Sequence, residues 1–290
     1  MKHVFIINPA AGGGCALEIG KKIDALAKSE KLDYIMHYTS APKEATAVAQ
    51  LYKNEEYIIY AVGGDGTLLE VVNGLVGSKN KLCVIPAGHG NDFYKAVKHL
   101  TEEKVVDVGK INGTYFINVL SFGLDAEVAS NTHLFKHKKL IPKSQIYNAS
   151  IVYSLLKYHF KPIQFILNGV KMTSEFTIVT VCNGKYYGNG YHIGPHAELD
   201  DGLFDIYFVD KLSKPGIVGI VPKLRKGTHD SDPRVHKRKA SRLKVRSDKP
   251  IVCNVDGEVL IKNKFNIKII PGALTIYNNH EFIKKLFELN

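Results

Sequence analysis

A chain of 290 residues, 45% hydrophobic and 23% charged, has room for two ordinary domains and is neither disordered nor fibrous in composition. A formal charge of +11 is compatible with nucleic acid, an anionic membrane surface or a phosphorylated substrate as partner, and equally with a solvated basic face. The longest apolar runs, such as Tyr57 to Val62, fall far short of the roughly 20 residues of a membrane span. The start, Met1 to Asn8, lacks the longer apolar stretch and cleavage site of a secretory signal, so a cytosolic protein is expected. Cys15, Cys83, Cys182 and Cys253 are widely spaced, as reduced thiols are, with no CxxC pattern.

Along the first part, strand and helix patterns alternate. Val4–Asn8 reads as strand, Ala16–Lys28 as helix, Asp33–Tyr38 as strand, Ala41–Tyr52 as helix and Tyr57–Gly63 as strand. A helix over Gly66–Val76 and a strand over Lys81–Pro86 follow. This alternation predicts parallel βαβ units, in which ligands bind beyond the carboxyl ends of the strands. After about residue 125 the texture changes to short runs punctuated by Gly, Pro, Asn and Asp: Ile163–Leu167, Phe176–Asn183, Leu203–Val209, Ser241–Ser247, Ile251–Val255 and Phe265–Ile270. These predict an antiparallel sandwich, interrupted by a helix over about Ser144–Tyr158. A last helix, His280–Leu289, is expected to pack back on the first part. The expected division is therefore residues 1–125, rejoined by 280–290, and a β-rich domain over 126–279.

The chemistry concentrates at three strand-to-helix turns. Gly63-Gly64-Asp65-Gly66-Thr67 lets backbone amides approach phosphate at a helix amino terminus. A carboxylate there would repel phosphate unless a cation intervened, so Asp65 implies magnesium. Asn8-Pro9-Ala10-Ala11-Gly12-Gly13-Gly14 forms a second flexible turn on the same sheet edge. The third is Pro86-Ala87-Gly88-His89-Gly90-Asn91-Asp92, where Asn91 and Asp92 could both cap the next helix and touch ligand. Asp256-Gly257-Glu258, taken alone, reads as a polar hairpin turn.

Together these motifs resemble the catalytic domain shared by bacterial diacylglycerol kinases, related bacterial lipid kinases, and sphingosine and ceramide kinases. The resemblance continues, in the family's order, through Gly123-Leu124-Asp125-Ala126, the segment Pro195 to Phe204, and Val255-Asp256-Gly257-Glu258. It implies an ATP-binding α/β domain, Rossmann-like with a parallel sheet, facing an antiparallel β-sandwich domain, with MgATP and a lipid hydroxyl meeting between them. It further implies that Asn8, Pro9, Ala10, Ala11, Gly12, Thr39, Gly64, Asp65, Gly66, Thr67, Leu68, Leu69, Glu70 and His89 line the nucleotide, and that Asp65 acts through the metal. Asp125 would join the acidic network. Glu198, Asp201 and Leu203 match a family magnesium site, and Asp256 and Glu258 the pair that supplies the general base; either of the two could take the proton. Two positions depart from the family pattern: His89 replaces a hydroxyl residue, and Gly13 a basic one.

Phosphoryl transfer independently requires positioning, magnesium and a carboxylate near the acceptor hydroxyl. The resemblance implies an acceptor of the diacylglycerol kind, reached by a peripheral enzyme at an anionic membrane surface, with homodimer formation left open. A basic stretch from Lys211 to Lys249 carries much of the charge, and its part around Arg234 to Arg246 is expected to rest on that surface; without interleaved aromatics it does not suit nucleic acid. The competing readings are an NAD kinase-like enzyme, which shares Gly-Gly-Asp-Gly-Thr, and a nucleotide-binding regulator without catalysis. The first is opposed by the missing glycine-rich Asn-x-Gly-x-x-Gly-Phe segment, the second by the complete acidic set.

Overall fold

Four parallel strands, β1 (His3–Ile7), β2 (Tyr34–Tyr38), β3 (Ile58–Gly63) and β4 (Lys81–Pro86), lie side by side in the order β4-β3-β1-β2 in a computed structural model describing residues 1–135 and 145–288. The central strands are apolar on both faces because both are covered. Val4, Ile6, Ile59, Ala61 and Val84 pack towards α2 (Glu44–Leu51) and α3 (Asp65–Leu75). Phe5, Ile7, Tyr60, Val62 and Ile85 face α1 (Cys15–Ser29) and α8 (His280–Glu288) through Ile19, Ile23, Phe282 and Leu286. The last helix thus rejoins the first layer, as its sequence suggested; Leu289 lies outside the described residues.

The remaining strands are β5 (Lys104–Ile111), β6 (Thr114–Phe116), β7 (Val119–Gly123), β8 (Ile163–Leu167), β9 (Val170–Ser174), β10 (Phe176–Cys182), β11 (Phe204–Asp210), β12 (Val235–Ala240), β13 (Arg242–Val255) and β14 (Glu258–Ile276), antiparallel to one another, with the end of β14 pairing parallel to β4. They enclose a phenylalanine-rich core of Phe116, Phe122, Phe165, Phe204, Phe208 and Phe265. The architecture is a parallel layer with helices joined to an antiparallel sandwich. β5 and β7, which precede residue 125, pair with β14 and β13.

Helices α4 (Asp92–Val97), α5 (Leu124–Asn131), α6 (Ile146–Lys157) and α7 (Lys214–Lys226) complete the fold. The helix expected from Ser144 corresponds to α6, Ser144 itself lying outside the described residues. α7 begins where Ser213 accepts a hydrogen bond from the Gly216 amide and Pro215 occupies the first turn, which needs no amide donor. The two runs expected at Ser241–Ser247 and Ile251–Val255 are one strand, β13, whose pairing slips between Arg246 and Ile251. Among the described residues no helix is long and apolar enough to cross a membrane.

Candidate active site

The three glycine turns meet at the carboxyl edge of the parallel strands. Asn8 Oδ1 accepts the Ala10 amide at 3.1 Å, and its Nδ2 donates to Thr67 Oγ1 at 3.1 Å, tying the first turn to the second. Gly12 has φ +61°, and a Cβ there would fall 2.1 Å from the Ala87 carbonyl oxygen of the third turn. A Cβ on Gly88 would come within 2.5 Å of Gly64 Cα. Only glycine permits these approaches. No side chain caps α3, whose first turn carries Asp65, Gly66 and Thr67, so its amino end can receive an anion from the turns around it.

Asp65 also has a structural task. Its Oδ1 accepts the amides of Asp92 at 2.8 Å and Phe93 at 3.4 Å, capping α4, while Oδ2 lies against Gly90, where a Cβ would sit 2.7 Å away. Burial and then the neighbouring Asp92 charge raise the Asp65 pKa, against the pull of these amides. The capping role expected of Asn91 and Asp92 is therefore taken by Asp65. Asn91, at φ +51°, instead closes its own loop through Gly88, accepting its amide and donating to its carbonyl. Asp92 is buried, pairs with Lys95 at 3.0 Å and accepts the Asn189 amide at 2.9 Å from the antiparallel part.

Across from this edge Asp256 sits at φ +48° in the turn after β13. Its carboxylate accepts backbone amides of Ile117 (2.7 Å), Asn118 (3.1 and 3.2 Å) and Val119 (2.8 Å), and the Asn254 side chain closes the turn on the Gly257 amide. Burial pushes the Asp256 pKa up to about 6; the three amides oppose the rise and the Asp65 charge adds to it. A cavity of about 300 Å³ opens between Asp65, Leu68, Asp92, Asn189, Asn254 and Asp256. It adjoins an apolar pocket of about 150 Å³ walled by Leu124, Val128, Leu155, Ile193, Ile217 and Leu224, and both are lined by Tyr187 and Gly188. Asp125 stands in the apolar pocket, its pKa raised by burial and held back by hydrogen bonds from Ser121, at 2.5 Å, and Tyr187.

Not every expected residue joins this cavity. Thr39 is buried and bonds Ile7 at the end of β1; Leu69 is buried; Glu70 accepts the Ala45 amide at 3.2 Å and so anchors α2. Pro9, Ala10, Ala11 and Gly12 form the wall of the first turn, and His89 is exposed on the third. Glu258 is exposed on the first residue of β14, outside the cavity lining. Glu198, Asp201 and Leu203 lie away from it too. Asp201 Oδ1 accepts the Leu203 amide at 3.0 Å and Oδ2 takes the Lys239 ammonium at 2.7 Å. Lys239 thus shares the one carboxylate of a magnesium site that the resemblance implies is completed by backbone carbonyls. Asp65 and Asp92 also suit a magnesium ion, since Asp65 Oδ2 is left over from the helix cap. Among the described residues, no cluster of three or more His, Cys, Asp or Glu side chains forms a metal cage by protein groups alone.

Sequence inspection missed Tyr187, Gly188, Asn189 and Asn254. The signal for the first three was Tyr187-Gly188-Asn189-Gly190, whose last three residues have φ of +61°, +68° and +95°. Buried Asp107 was also missed: it accepts the Gly202 amide at 2.7 Å and the Gly272 amide at 2.8 Å, joining two loops to β5.

Comparison with known proteins covers both parts of the chain. Residues 2–113 match the diacylglycerol kinase catalytic domain, and residues 118–278 match the YegS C-terminal NAD kinase beta sandwich-like domain. The chain is 30% identical over 286 residues to a diacylglycerol kinase of Staphylococcus epidermidis strain RP62A, covering 88% of this chain and 84% of that one. It is 29% identical over 279 residues to a diacylglycerol kinase of Bacillus subtilis strain 168, covering 89% and 90%. A Bacillus anthracis str. Sterne structure, provisionally named a diacylglycerol kinase, superimposes with a TM-score of 0.77 at 25% identity, covering 97% of this chain and 96% of that one. With both parts of the chain matched in order and the relatives covered almost end to end, the protein belongs to the diacylglycerol kinase catalytic-domain family, a family of lipid kinases.

Proposed function

We propose that this protein transfers the terminal phosphate of ATP to the hydroxyl of a diacylglycerol-type lipid, acting peripherally at the cytoplasmic membrane surface. The observation that carries this reading is the junction at Tyr187 and Gly188, where an acidic cavity edged by glycine turns passes directly into an apolar pocket. An acceptor with a polar hydroxyl at one end and a hydrocarbon tail at the other matches both. Drug-sized ligand sites run to about 300–1,000 Å³, so a pocket of about 150 Å³ takes only part of a lipid and leaves the rest in the bilayer.

In this reading the glycine turns and the amino end of α3 hold the phosphates, and Asp256 is the general base. As the acceptor oxygen forms its bond to phosphorus, its proton passes to Asp256 and the bond to ADP breaks. A carboxyl group with a pKa of about 6 is ionised at neutral pH yet basic enough to take that proton. Magnesium arriving with the nucleotide would spread the phosphate charge, with Asp65 and Asp92 the carboxylates available to hold it. The Lys95 ammonium, 3.0 Å from Asp92, adds a fixed positive charge nearby.

The test is phosphate transfer from labelled ATP to diacylglycerol dispersed in uncharged detergent micelles, resolved by thin-layer chromatography, with NAD as the competing acceptor. Labelled lipid and unchanged NAD support the proposal. Labelled NADP with no lipid product refutes it.

A further inference from the structure

The segment between β10 and β11 reaches back across the cavity, and its tip is held in one shape. Tyr187 and Tyr191 exchange backbone hydrogen bonds at 3.0 and 2.9 Å, closing a turn in which Gly188, Asn189 and Gly190 are all left-handed. The tip is fastened to the first layer: Asp92 accepts the Asn189 amide, and a Cβ on Gly190 would lie 3.3 Å from the Lys95 ammonium that Asp92 holds. At the base of the segment, the amides of Asn183 and Gly184 both donate to the Asn118 carbonyl at 2.8 Å, and Asn183 Nδ2 donates to the Ile117 carbonyl at 2.7 Å. Ile117 and Asn118 are residues whose own amides hold Asp256. The segment is therefore fixed at both ends by groups that border the cavity.

Between these anchors the Tyr187 hydroxyl belongs to a directed chain of hydrogen bonds. Asn254 Oδ1 accepts the Gly257 amide at 3.0 Å, which leaves Nδ2 to donate to the Tyr187 oxygen. The phenol passes its own hydrogen to Asp125, the carboxylate that also accepts from Ser121. The chain thus runs from the turn that carries Asp256 to the wall of the apolar pocket, and it touches none of the glycine turns. A tyrosine that only filled space would use its ring; this one has its oxygen set between an amide donor and a carboxylate acceptor. The placement of the neighbouring turn matters for rate, since a misplacement of about 1 Å at a reacting group can cost about a hundredfold.

We propose that the Tyr187 hydroxyl is a positioning group: it holds Asn254, and through Asn254 the turn that sets Asp256 against the acceptor oxygen at the junction of the two cavities. The inference rests on the lipid-kinase reading for the acceptor alone; the tether between Tyr187 and the turn does not depend on it.

The variants are Tyr187→Phe, which keeps the ring, Asn254→Ala, the double variant, and Tyr186→Phe as control, whose ring stacks on His192 and lines neither cavity. Transfer from MgATP is measured with diacylglycerol in uncharged micelles. Tyr187→Phe is expected to lower kcat by about 10- to 100-fold, between the loss of one hydrogen bond and that of a displaced base, with KM for the lipid and Kd for MgATP within about twofold of wild type. Because Tyr187 acts through Asn254, the double variant should be no slower than Asn254→Ala alone. Amide hydrogen exchange, measured without nucleotide or lipid, supplies a second arm: Ile117, Asn118, Val119 and Gly257 should exchange about tenfold faster in Tyr187→Phe and at the wild-type rate in Tyr186→Phe. An unchanged kcat in Tyr187→Phe overturns the proposal, as does a loss confined to KM, additive losses in the double variant, or unaltered exchange at those amides. Absence of transfer by the wild type refutes the lipid-kinase reading instead, and the exchange arm then decides the tether by itself.

Discussion

Two Asp-Gly turns in the antiparallel part begin alike and end in different chemistry. Asp201-Gly202 and Asp256-Gly257 both place a left-handed glycine after the aspartate, at φ +72° and +94°. Asp256 is met by three backbone amides, fixed dipoles without net charge, and burial lifts its pKa to about 6. Asp201 is met by the mobile, fully charged ammonium of Lys239, which that pairing makes harder to deprotonate. Burial keeps Asp256 basic against the pull of its amides, while Asp201 serves to hold a lysine.

The largest effect that would test this contrast is catalytic. Asp256→Asn should lower kcat on dispersed diacylglycerol by about 10² to 10⁴, the range of general-base catalysis, whereas Glu258→Gln, on the exposed side of the same turn, should stay within a few-fold. Equal losses would show that the turn, not the carboxylate, matters. Because asparagine also sets an NH₂ group against amide donors, calorimetry on the variant must show that it is folded.

Next comes Asp65→Asn, which keeps Oδ1 for the α4 amides and removes only the charge. Transfer should fall by about a thousandfold, with weaker MgATP binding and little change in melting temperature. A large drop in melting with normal turnover of the folded fraction would make Asp65 a helix cap and nothing more.

A pH profile sharpens the comparison further. Since the Asp256 pKa is raised, kcat should rise with pH through about 6 as the base ionises, and the Asn variant should lose that limb. Stability runs the other way. A carboxyl group whose folded pKa lies above its unfolded value favours the fold when protonated, so this contribution is present near pH 4 and lost as pH rises through about 6. The difference in melting temperature between wild type and variant should shift across that window in this direction.

The smallest effect is predicted at Asp201. Asp201→Asn breaks a partly exposed ion pair and should cost about 1 kcal/mol or less, leaving the magnesium requirement of the reaction unchanged. A steep rise in that requirement, measured by titrating magnesium at fixed ATP, would restore Asp201 as a metal ligand.

Local pattern carried much of the fold. β4 and β8 coincide with the runs read from sequence, because their apolar positions are bounded by turn residues. α7 was missed since Lys-Pro-Gly-Ile-Val-Gly-Ile-Val-Pro looks like broken chain, although a proline in the first turn starts a helix and Pro222 is carried inside one. β12 was hidden by Val-His-Lys-Arg-Lys-Ala, whose Lys237 and Lys239 are paired across space with Asp205 and Asp201. In the site, the glycine turns were legible because the constraint is local. Asp107, Tyr187 and Asn254 were not, because each acquires its role from groups far away in sequence, such as Gly272 for Asp107. The division of labour between Asp65 and Asn91 at α4 was invisible for the same reason.

β14 sends Phe265 and Ile267 into the phenylalanine core and Leu274 and Ile276 into the core under the parallel strands. Its 19 residues pair in turn with β13, β5 and β4. A segment common to two cores cannot leave one without loosening the other, so the two layers form a single cooperative unit despite their different textures. A single calorimetric transition is the expected outcome, and two resolved transitions would show that the shared strand does not couple the layers.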